Sequence, residues 1–369
     1  MKRLSPSSQT KRGQNSQRGS VIIIVLWTSV LLTVLVTAMA AKVRLSAKTA
    51  FHNQEAVLQW SDVMAALNQA QMQLMLERMP QPIGVEVEET DEGEIRNTAY
   101  KFNGQLLQLH YLQAEQISVR IYDHAGKINL NRIPRRNMQL LIEKRLGGQD
   151  ADPEEVQDLL AAWTDWVDLN DLEGINGAEA DYYQSLDQPF SPRNNSELDT
   201  VEEILHIRGF ADLFEGVNLD AAFTIYGNAR AVNMNLATRE AMQLLPGMDD
   251  ELVEIVIAYR EIEDIRNQAE LAEIIPFENF QELAAWTGTS TSNIYSVFVY
   301  PKIDPQAAGR TSDVDEDGYP LNPDPVTRAY MQIIEVTGFN NLPTVYQVAP
   351  YGHLPDTAPA RIEQYDIAF

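Results

Sequence analysis

The stretch GQNSQRGSVIIIVLWTSVLLTVLVTAMAAK, residues 13–42, decides the architecture of this chain. Its apolar run from Val21 to Ala41 is long enough, at 1.5 Å per helical residue, to cross about 30 Å of hydrocarbon. Five basic residues and no acidic residue precede the run. The positive flank predicts a cytoplasmic N-terminus with the body across the membrane. A cleaved secretory signal has a shorter apolar core of about 7–15 residues, which leaves an uncleaved signal anchor as one interpretation.

The helical pattern continues beyond the apolar run. No Gly or Pro interrupts the chain from Ser20 to Met79, which predicts one helix over residues 20–79 with the transmembrane part at 21–41. Apolar residues recur every seven positions on one face, which is expected to cover the protein's own sheet. These residues are Phe51, Leu58, Ala65, Met72 and Met79.

Charge and composition limit the possible partners and sources of stability. The whole chain carries a net charge of −25, and residues 1–19 contribute five positive charges, so the remainder carries −30. This strong negative charge of residues 20–369 repels nucleic acid and anionic lipid. The chain has no cysteine, which excludes a disulfide framework. Stability must come from apolar cores, bound metal or protein partners.

Alternating apolar and polar residues predict strands on both sides of a helix-rich segment. The first pair covers residues 99–112 and 117–128, with FNGQ and DHAGK as turns. Further strands are predicted after Trp286, rich in β-branched and aromatic residues, at residues 293–303, 329–338 and 344–350. A long helix followed by antiparallel strands is predicted, with the sheet interrupted in the middle.

The interrupting segment contains an internal repeat. INLNRIPRRNMQLL at 128–141 aligns without a gap to VNMNLATREAMQLL at 232–245. This indicates two related small helical bundles. The paired asparagines of each copy are expected to cap its first helix. The second copy contains Leu245-Pro246-Gly247 and resembles the helix-hairpin-helix modules of DNA-binding proteins, but two aspartates follow the turn where a phosphate would bind.

Two acidic clusters are candidate cation sites. The first lies in TDWVDLNDLEGINGAEADYY, residues 164–183, where only oxygen ligands stand among glycines. Such ligands suit a hard cation, calcium rather than zinc, although a solvated acidic loop has the same composition. The expected ligands are Asp168, Asp171, Glu179 and Asp181.

The second cluster, DVDEDGYPLNPD at residues 313–324, has the spacing of a calcium loop. Several prolines exclude a helix after it, so an isolated loop is predicted rather than an EF-hand. Its expected ligands are Asp313, Asp315, Asp317, Tyr319 and Asp324. Sequence motifs of catalysis, such as HExxH, GxSxG, a P-loop or GxGxxG, are absent, and the chain is not expected to be an enzyme.

The opening stretch resembles the type IV prepilin class. Members of that class carry a short basic leader and a Gly directly before a long apolar helix, and a prepilin peptidase cuts after the Gly. In this chain the cut would fall between Gly19 and Ser20. Most members have Glu at the fifth mature position, where this chain has Ile24.

The full order of segments resembles one family, the K-type minor pseudopilins of the type II (general) secretion pathway. The leader without the fifth-position Glu, the helical insertion and the loop WTDWVDLND…GAEADYY carry the resemblance. It implies an α+β fold, in which a pilin-like long N-terminal helix packs on an antiparallel sheet. It also implies that the large all-α insertion consists of two related small bundles, SAM-like or helix-hairpin-helix-like. The implied segments are 1–19 (leader), 20–79 (helix), 80–130 (first strands), 131–290 (insertion) and 291–369 (returning strands).

The resemblance also implies a function and partners. The protein would lie in the inner membrane with its body in the periplasm, at the tip of the pseudopilus. There it would start and cap assembly with the I-type and J-type minor pseudopilins, for export of folded proteins. A type IV pilus-like tip protein and a membrane-anchored DNA-binding module are the alternatives.

Overall fold

The computed structural model describes residues 18–79, 101–107, 117–192, 195–301 and 328–356, without the side chains of residues 18–20, 55 and 328. The chain forms two units, Met1–Ser61 and Asp62–Phe369. Residues 1–17 of the predicted leader (1–19) and the acidic loop at 313–324 lie outside the described residues.

The described residues of the first unit are helical. Helix α1 runs from Arg18 to Glu77, close to the predicted span, and Gly19 and Ser20 lie in its first turn. Its part from Val21 onward is the one helix, among the residues that the structure describes, long and apolar enough to cross a membrane. Its apolar side chains are exposed within the monomer, as expected of a segment that lipid or neighbouring helices would surround.

The second unit is built on a five-stranded antiparallel sheet with the strand order β1-β2-β7-β8-β9. Its strands are β1 (Asn103–Leu106), β2 (Ile117–Asp123), β7 (Ile294–Pro301), β8 (Arg328–Glu335) and β9 (Thr344–His353). The antiparallel sheet against a long helix is therefore confirmed. One detail differs: the predicted FNGQ turn lies largely within β1, where Gly104 has a φ of +95° and the register shifts.

The C-terminal turns of α1 cover one face of this sheet, but with a different helix face from the one predicted. Ala66, Leu67, Ala70 and Leu74 are buried against strands β2, β7 and β8. The heptad residues Met72 and Met79 are about half exposed. Ala66, Ala70 and Leu74, at i, i+4 and i+8, let the helix approach the sheet closely. The heptad residues lie on a neighbouring face of the helix.

A helical domain is inserted between β2 and β7, as predicted, with its own core around Trp163, Phe210 and Trp286. It contains four two-residue strands: β3 (Ile128–Asn129), β4 (Phe223–Thr224), β5 (Val232–Asn233) and β6 (Thr287–Gly288). Its helices are α2 (Arg135–Arg145), α3 (Pro153–Val167), α4 (Ala180–Gln184), α5 (Phe210–Leu213), α6 (Leu219–Ala222), α7 (Arg239–Leu244), α8 (Asp250–Ile262), α9 (Gln268–Ile274) and α10 (Phe277–Leu283).

The sequence repeat is also a repeat of structure. Each copy begins with a short strand that pairs in parallel with a strand at its own end, β3 with β4 and β5 with β6. In the first copy the side-chain amide of Asn131 donates to the carbonyl of Leu198 and its oxygen accepts from the Leu198 amide. Asn235 binds Ile265 in the same two ways in the second copy. We refer to these as the asparagine clamps.

The asparagines therefore do not cap helices, and that prediction is wrong. Helix α2 begins after Pro134 without a side-chain cap, and α7 is capped by Thr238, which accepts from the amide of Ala241. An Asn side chain offers a donor and an acceptor together. That pair matches one backbone residue of a distant segment better than it matches a helix N-terminus, which offers donors only.

Candidate metal centre

Three acidic side chains converge at the C-terminal end of α3. Asp165, Asp168 and Glu179 place one carboxylate oxygen each within 4.8 Å of one another. Calcium binds oxygens at 2.3–2.6 Å, so ligands that share one ion lie up to roughly 5 Å apart. The three side chains are therefore close enough together to share one cation.

Helix α3 positions the first two acids. Asp152 caps its N-terminus by accepting from the amide of Glu154, and Pro153 occupies the first turn. The apolar side of α3 is buried in the domain core and carries Asp165 inward with it. Asp168 ends the helix three residues later, on the same side, and accepts from the amide of Asn170.

The loop after α3 folds around Asp165. Oδ2 of Asp165 accepts from the amides of Gly174 and Ala178, at 3.0 Å each. A Cβ atom on Gly177 would lie 1.7 Å from that oxygen, and one on Gly174 would lie 2.8 Å from Oδ1. Glycine is therefore required where the loop backbone approaches the carboxylate.

Glu179 is the group that most clearly lacks a counter-charge. It is 4% exposed, and its Oε1 has no hydrogen-bond partner among the described residues. Burial, together with the nearby charges of Asp165, Asp168 and Asp171, raises the pKa of Glu179 to about 7. A buried, unpartnered carboxylate among like charges is the environment that a bound cation would stabilise.

Arg208 supports the loop without neutralising the acids. Its guanidinium donates to the carbonyls of Gly177 at 2.7 Å and Asp158 at 3.2 Å, and it lies over the ring of Tyr182. The cation thus binds backbone oxygens and an aromatic face. In the part of the chain that the structure describes, Asp165, Asp168 and Glu179 form no ion pair.

The structure brings together two of the four ligands expected from sequence, Asp168 and Glu179, and adds Asp165. Asp171 is near enough to raise the pKa of Glu179, and Asp181 is exposed on α4, outside the group of converging oxygens. Sequence reasoning placed Asp165 in the acidic segment but not among the likeliest ligands. Its spacing of three residues from Asp168 at a helix end is the signal that identifies it.

Comparison with known proteins gives a family match for the first part of the helical domain. Residues 126–214 match a family model described as "Type II secretion system (T2SS), protein K", its first domain. No curated protein matches the chain. Among solved structures, the chain is similar to one in the crystal structure of the GspK-GspI-GspJ complex from the type 2 secretion system of enterotoxigenic Escherichia coli. The identity is 11%, the TM-score is 0.47, and the match covers 82% of this chain and 99% of the other.

The matched residues begin just after β2 and include β3, α2, α3 and both ends of the acidic loop. They contain the loop WTDWVDLND…GAEADYY, one of the three features that carry the resemblance to K-type minor pseudopilins, and part of a second, the helical insertion. Residues 126–214 of this chain therefore match the first domain of protein K of the type II secretion system, the family that the sequence resemblance indicates.

Proposed function

We propose that this protein is the minor pseudopilin at the tip of a type II secretion pseudopilus, where it initiates and caps assembly for the export of folded proteins. The observation that carries the proposal is a protein K domain inserted between two strands of a sheet that packs on a long N-terminal helix. The bulk of that insertion suits a position with no subunit above it.

The absence of an acid at Ile24 supports the tip position. In the prepilin class, the fifth-position Glu is thought to neutralise the N-terminal amine of a neighbouring subunit. A subunit with nothing above it does not need this carboxylate, and an unpaired acid in hydrocarbon costs about 2.5–3.5 kcal/mol or more. We propose inner-membrane topology with a cytoplasmic N-terminus and a periplasmic body, which the basic leader favours.

Processing by a prepilin peptidase is the first prediction. The mature chain should begin at Ser20, because Gly19 stands directly before the apolar run. Intact-mass measurement of the chain purified from membranes tests this. A Gly19→Ala control should process as the wild type does, whereas Gly19→Leu should retain the leader. A mature chain that begins at Met1 or near Ala41 would contradict the pilin-like mode of insertion.

The second prediction concerns partners. The solved complex contains GspI and GspJ beside GspK, and we propose I-type and J-type minor pseudopilins as partners of this chain. The full-length chain, expressed in membranes together with both, should co-purify with them as one complex. Deletion of the chain should also stop secretion. Co-assembly with major pilins of a type IV pilus instead, with secretion intact, would favour the alternative of a type IV pilus-like tip protein.

We propose that this protein is not an enzyme and does not bind DNA. We propose SAM-like or helix-hairpin-helix-like bundles as a fold only, because the turn at Gly247 is occupied by protein. The side-chain amide of Asn279 donates to the Gly247 carbonyl at 2.8 Å, and a Cβ atom at this glycine would lie 2.3 Å from the Asn279 carbonyl oxygen. Asp249 caps α8 beside it. A phosphate would meet negative charge there.

We propose a structural calcium ion held by Asp165, Asp168 and Glu179, with Asp171 close by. The ion would supply the positive charge that the converging carboxylates lack, and so fix the loop on α3. The second proposed site, at Asp313 to Asp324, lies outside the described residues. Extracytoplasmic calcium sites typically have dissociation constants of about 10⁻⁴–10⁻³ M.

Calcium should therefore stabilise the protein. Excess calcium at about 10 mM corresponds to about 1.5–3 kcal/mol at such affinities, a rise of about 5 °C in the unfolding midpoint. Asp165→Asn should remove the part of this rise that comes from the site beside α3. Asp181→Asn, the same change at an exposed acid outside the group, should leave it intact. A larger loss of the calcium-induced rise in Asp181→Asn than in Asp165→Asn would contradict the proposed ligands.

The same measurement has an expected pH dependence. The folded-state pKa of Glu179 is raised to about 7 from an ordinary value of 4.5, so without metal this group contributes stability that is present at low pH and is lost as the pH rises through about 7. Calcium requires the ionised form. Calcium affinity should thus fall about tenfold from pH 8 to pH 6, and titration calorimetry in two buffers should show proton release at pH 6.

A further inference from the structure

The loop after α3 exposes three large aliphatic side chains. Leu169, Leu172 and Ile175 are 73%, 78% and 93% exposed, and they recur at every third residue. Isolated exposed apolar residues are common on proteins, but a group of them in one loop marks an interaction site. The loop lies beside the proposed metal centre, which does not use these three side chains.

The backbone that carries the three side chains is held in place. The amide of Leu172 donates to Oδ1 of Asn170 at 2.9 Å, and the amide of Gly174 donates to Asp165. At the far end, Arg208 donates to the carbonyl of Asn176. The aliphatic side chains are therefore presented to solvent by a fixed loop, which lowers the entropy cost of binding.

The internal repeat shows that the helical bundle does not need this loop. The asparagine clamps mark equivalent points, Leu198 in the first copy and Ile265 in the second. The next residue repeats as well: the amide of Asp199 donates to Glu203, and the amide of Arg266 donates to Glu270. In the first copy, residues 168–197 connect the end of α3 to the clamp at Leu198. In the second copy, only residues 263–264 connect the end of α8 to the clamp at Ile265.

The charge around the loop indicates what would bind. Residues 146–192 contain twelve acidic residues and no Lys, Arg or His. Asp171 and Glu173 lie exposed between the three aliphatic residues. A ligand that fits this surface therefore combines apolar side chains with positive charge.

We propose that residues 168–177 form a docking loop for a basic, apolar segment of another protein, with Leu169, Leu172 and Ile175 as its apolar anchors. The proposal rests on the calcium site proposed above only in that the ion would further fix the end of the loop at Asp168. A second copy of this chain would bring like charges together, and an anionic membrane would be repelled. These alternatives are outcomes of the test.

Hydrogen exchange of residues 168–179 in the full-length chain tests the proposal, with the chain held in nanodiscs of zwitterionic lipid and, without peptide, in nanodiscs of anionic lipid. Calcium alone should slow exchange of the loop. A short amphipathic peptide of leucine and lysine should slow it further, and a leucine–glutamate peptide should not. In the triple variant Leu169→Ser, Leu172→Ser, Ile175→Ser, calcium should still protect the loop, while the dissociation constant of the peptide rises about tenfold or more.

The matched control is Ile262→Ser, because Ile262 is 89% exposed on the second copy of the repeat. This variant should bind the peptide as the wild type does. If the triple variant bound the leucine–lysine peptide as tightly as the wild type does, charge alone would account for the binding, and the proposal would be overturned. The proposal would also be overturned if the lipid surface, or self-association of the chain, slowed hydrogen exchange of the loop in the absence of peptide. If calcium gives no protection but the peptide result holds, the docking loop stands and the calcium site fails.

Discussion

Gly177→Ala is expected to abolish calcium binding and to lower the free energy of unfolding by about 3 kcal/mol, near the upper end for overpacking a closed site. The new Cβ atom would lie 1.7 Å from Oδ2 of Asp165, the oxygen that accepts from Gly174 and Ala178. Asp165 is buried on the last turn of α3 and cannot swing into solvent. The loop must move, and its two hydrogen bonds to the Asp165 carboxylate are lost. Glu179 then no longer lies close enough to Asp165 to share a cation with it.

Two other glycines provide a graded control for this result. Gly174→Ala should cost less, because its Cβ atom would lie 2.8 Å from Asp165 Oδ1, whereas Gly338→Ala has open space and should be nearly neutral. Chemical denaturation with and without calcium measures all three variants. Equal stability of the Gly177→Ala and Gly338→Ala chains would show that the loop does not close on Asp165.

Asn131→Ala is expected to destabilise the helical domain by about 3 kcal/mol, because it leaves buried backbone groups without partners. The Asn131 side chain makes three hydrogen bonds, to the amide and carbonyl of Leu198 and to the carbonyl of Ile225. Together these bonds join the turn after β3 to Leu198 and to Ile225, the residue directly after β4. Asn235→Ala removes the equivalent pair to Ile265 and should cost about 2 kcal/mol.

An aspartate at position 131 separates the contributions of this clamp. Asn131→Asp keeps the acceptor for the Leu198 amide but loses the donor to two carbonyls, so its stability should lie below that of the wild type. The neutral control is Asn195→Ala, the removal of an exposed asparagine outside the clamp. If denaturation midpoints of Asn131→Ala and Asn195→Ala coincide, the clamp contributes nothing to stability.

The clamps also bear on how the acidic loop is tolerated. Because Asn131 fixes Leu198 in the way that Asn235 fixes Ile265, the bundle closes whether the intervening segment is long or short. The entropy cost of closing a longer loop rises only slowly with its length. A domain built this way can carry the loop for which we propose metal binding and docking without changing its core.

Sequence alone determined the parts of this protein that depend on composition and periodicity. The uninterrupted apolar segment after Ser20 specified a long helix, alternation specified the strands on both sides, and self-similarity at an offset of 104 residues revealed the repeated bundle. These are properties of neighbouring residues, since helix and strand periods are read within one segment. The acidic segment and two of its converging residues, Asp168 and Glu179, were found in the same way.

Only the tertiary structure decided which groups meet. It replaced the heptad face of α1 by Ala66, Leu67 and Ala70, because packing on a sheet selects the stripe that comes closest. It assigned Asn131 to a clamp with Leu198, 67 residues away, because a side chain with both a donor and an acceptor satisfies whichever backbone groups folding brings to it. It added Asp165 to the candidate metal centre, because burial on α3 and the closure of the glycine loop bring its carboxylate to Glu179, and neither is a property of the local sequence.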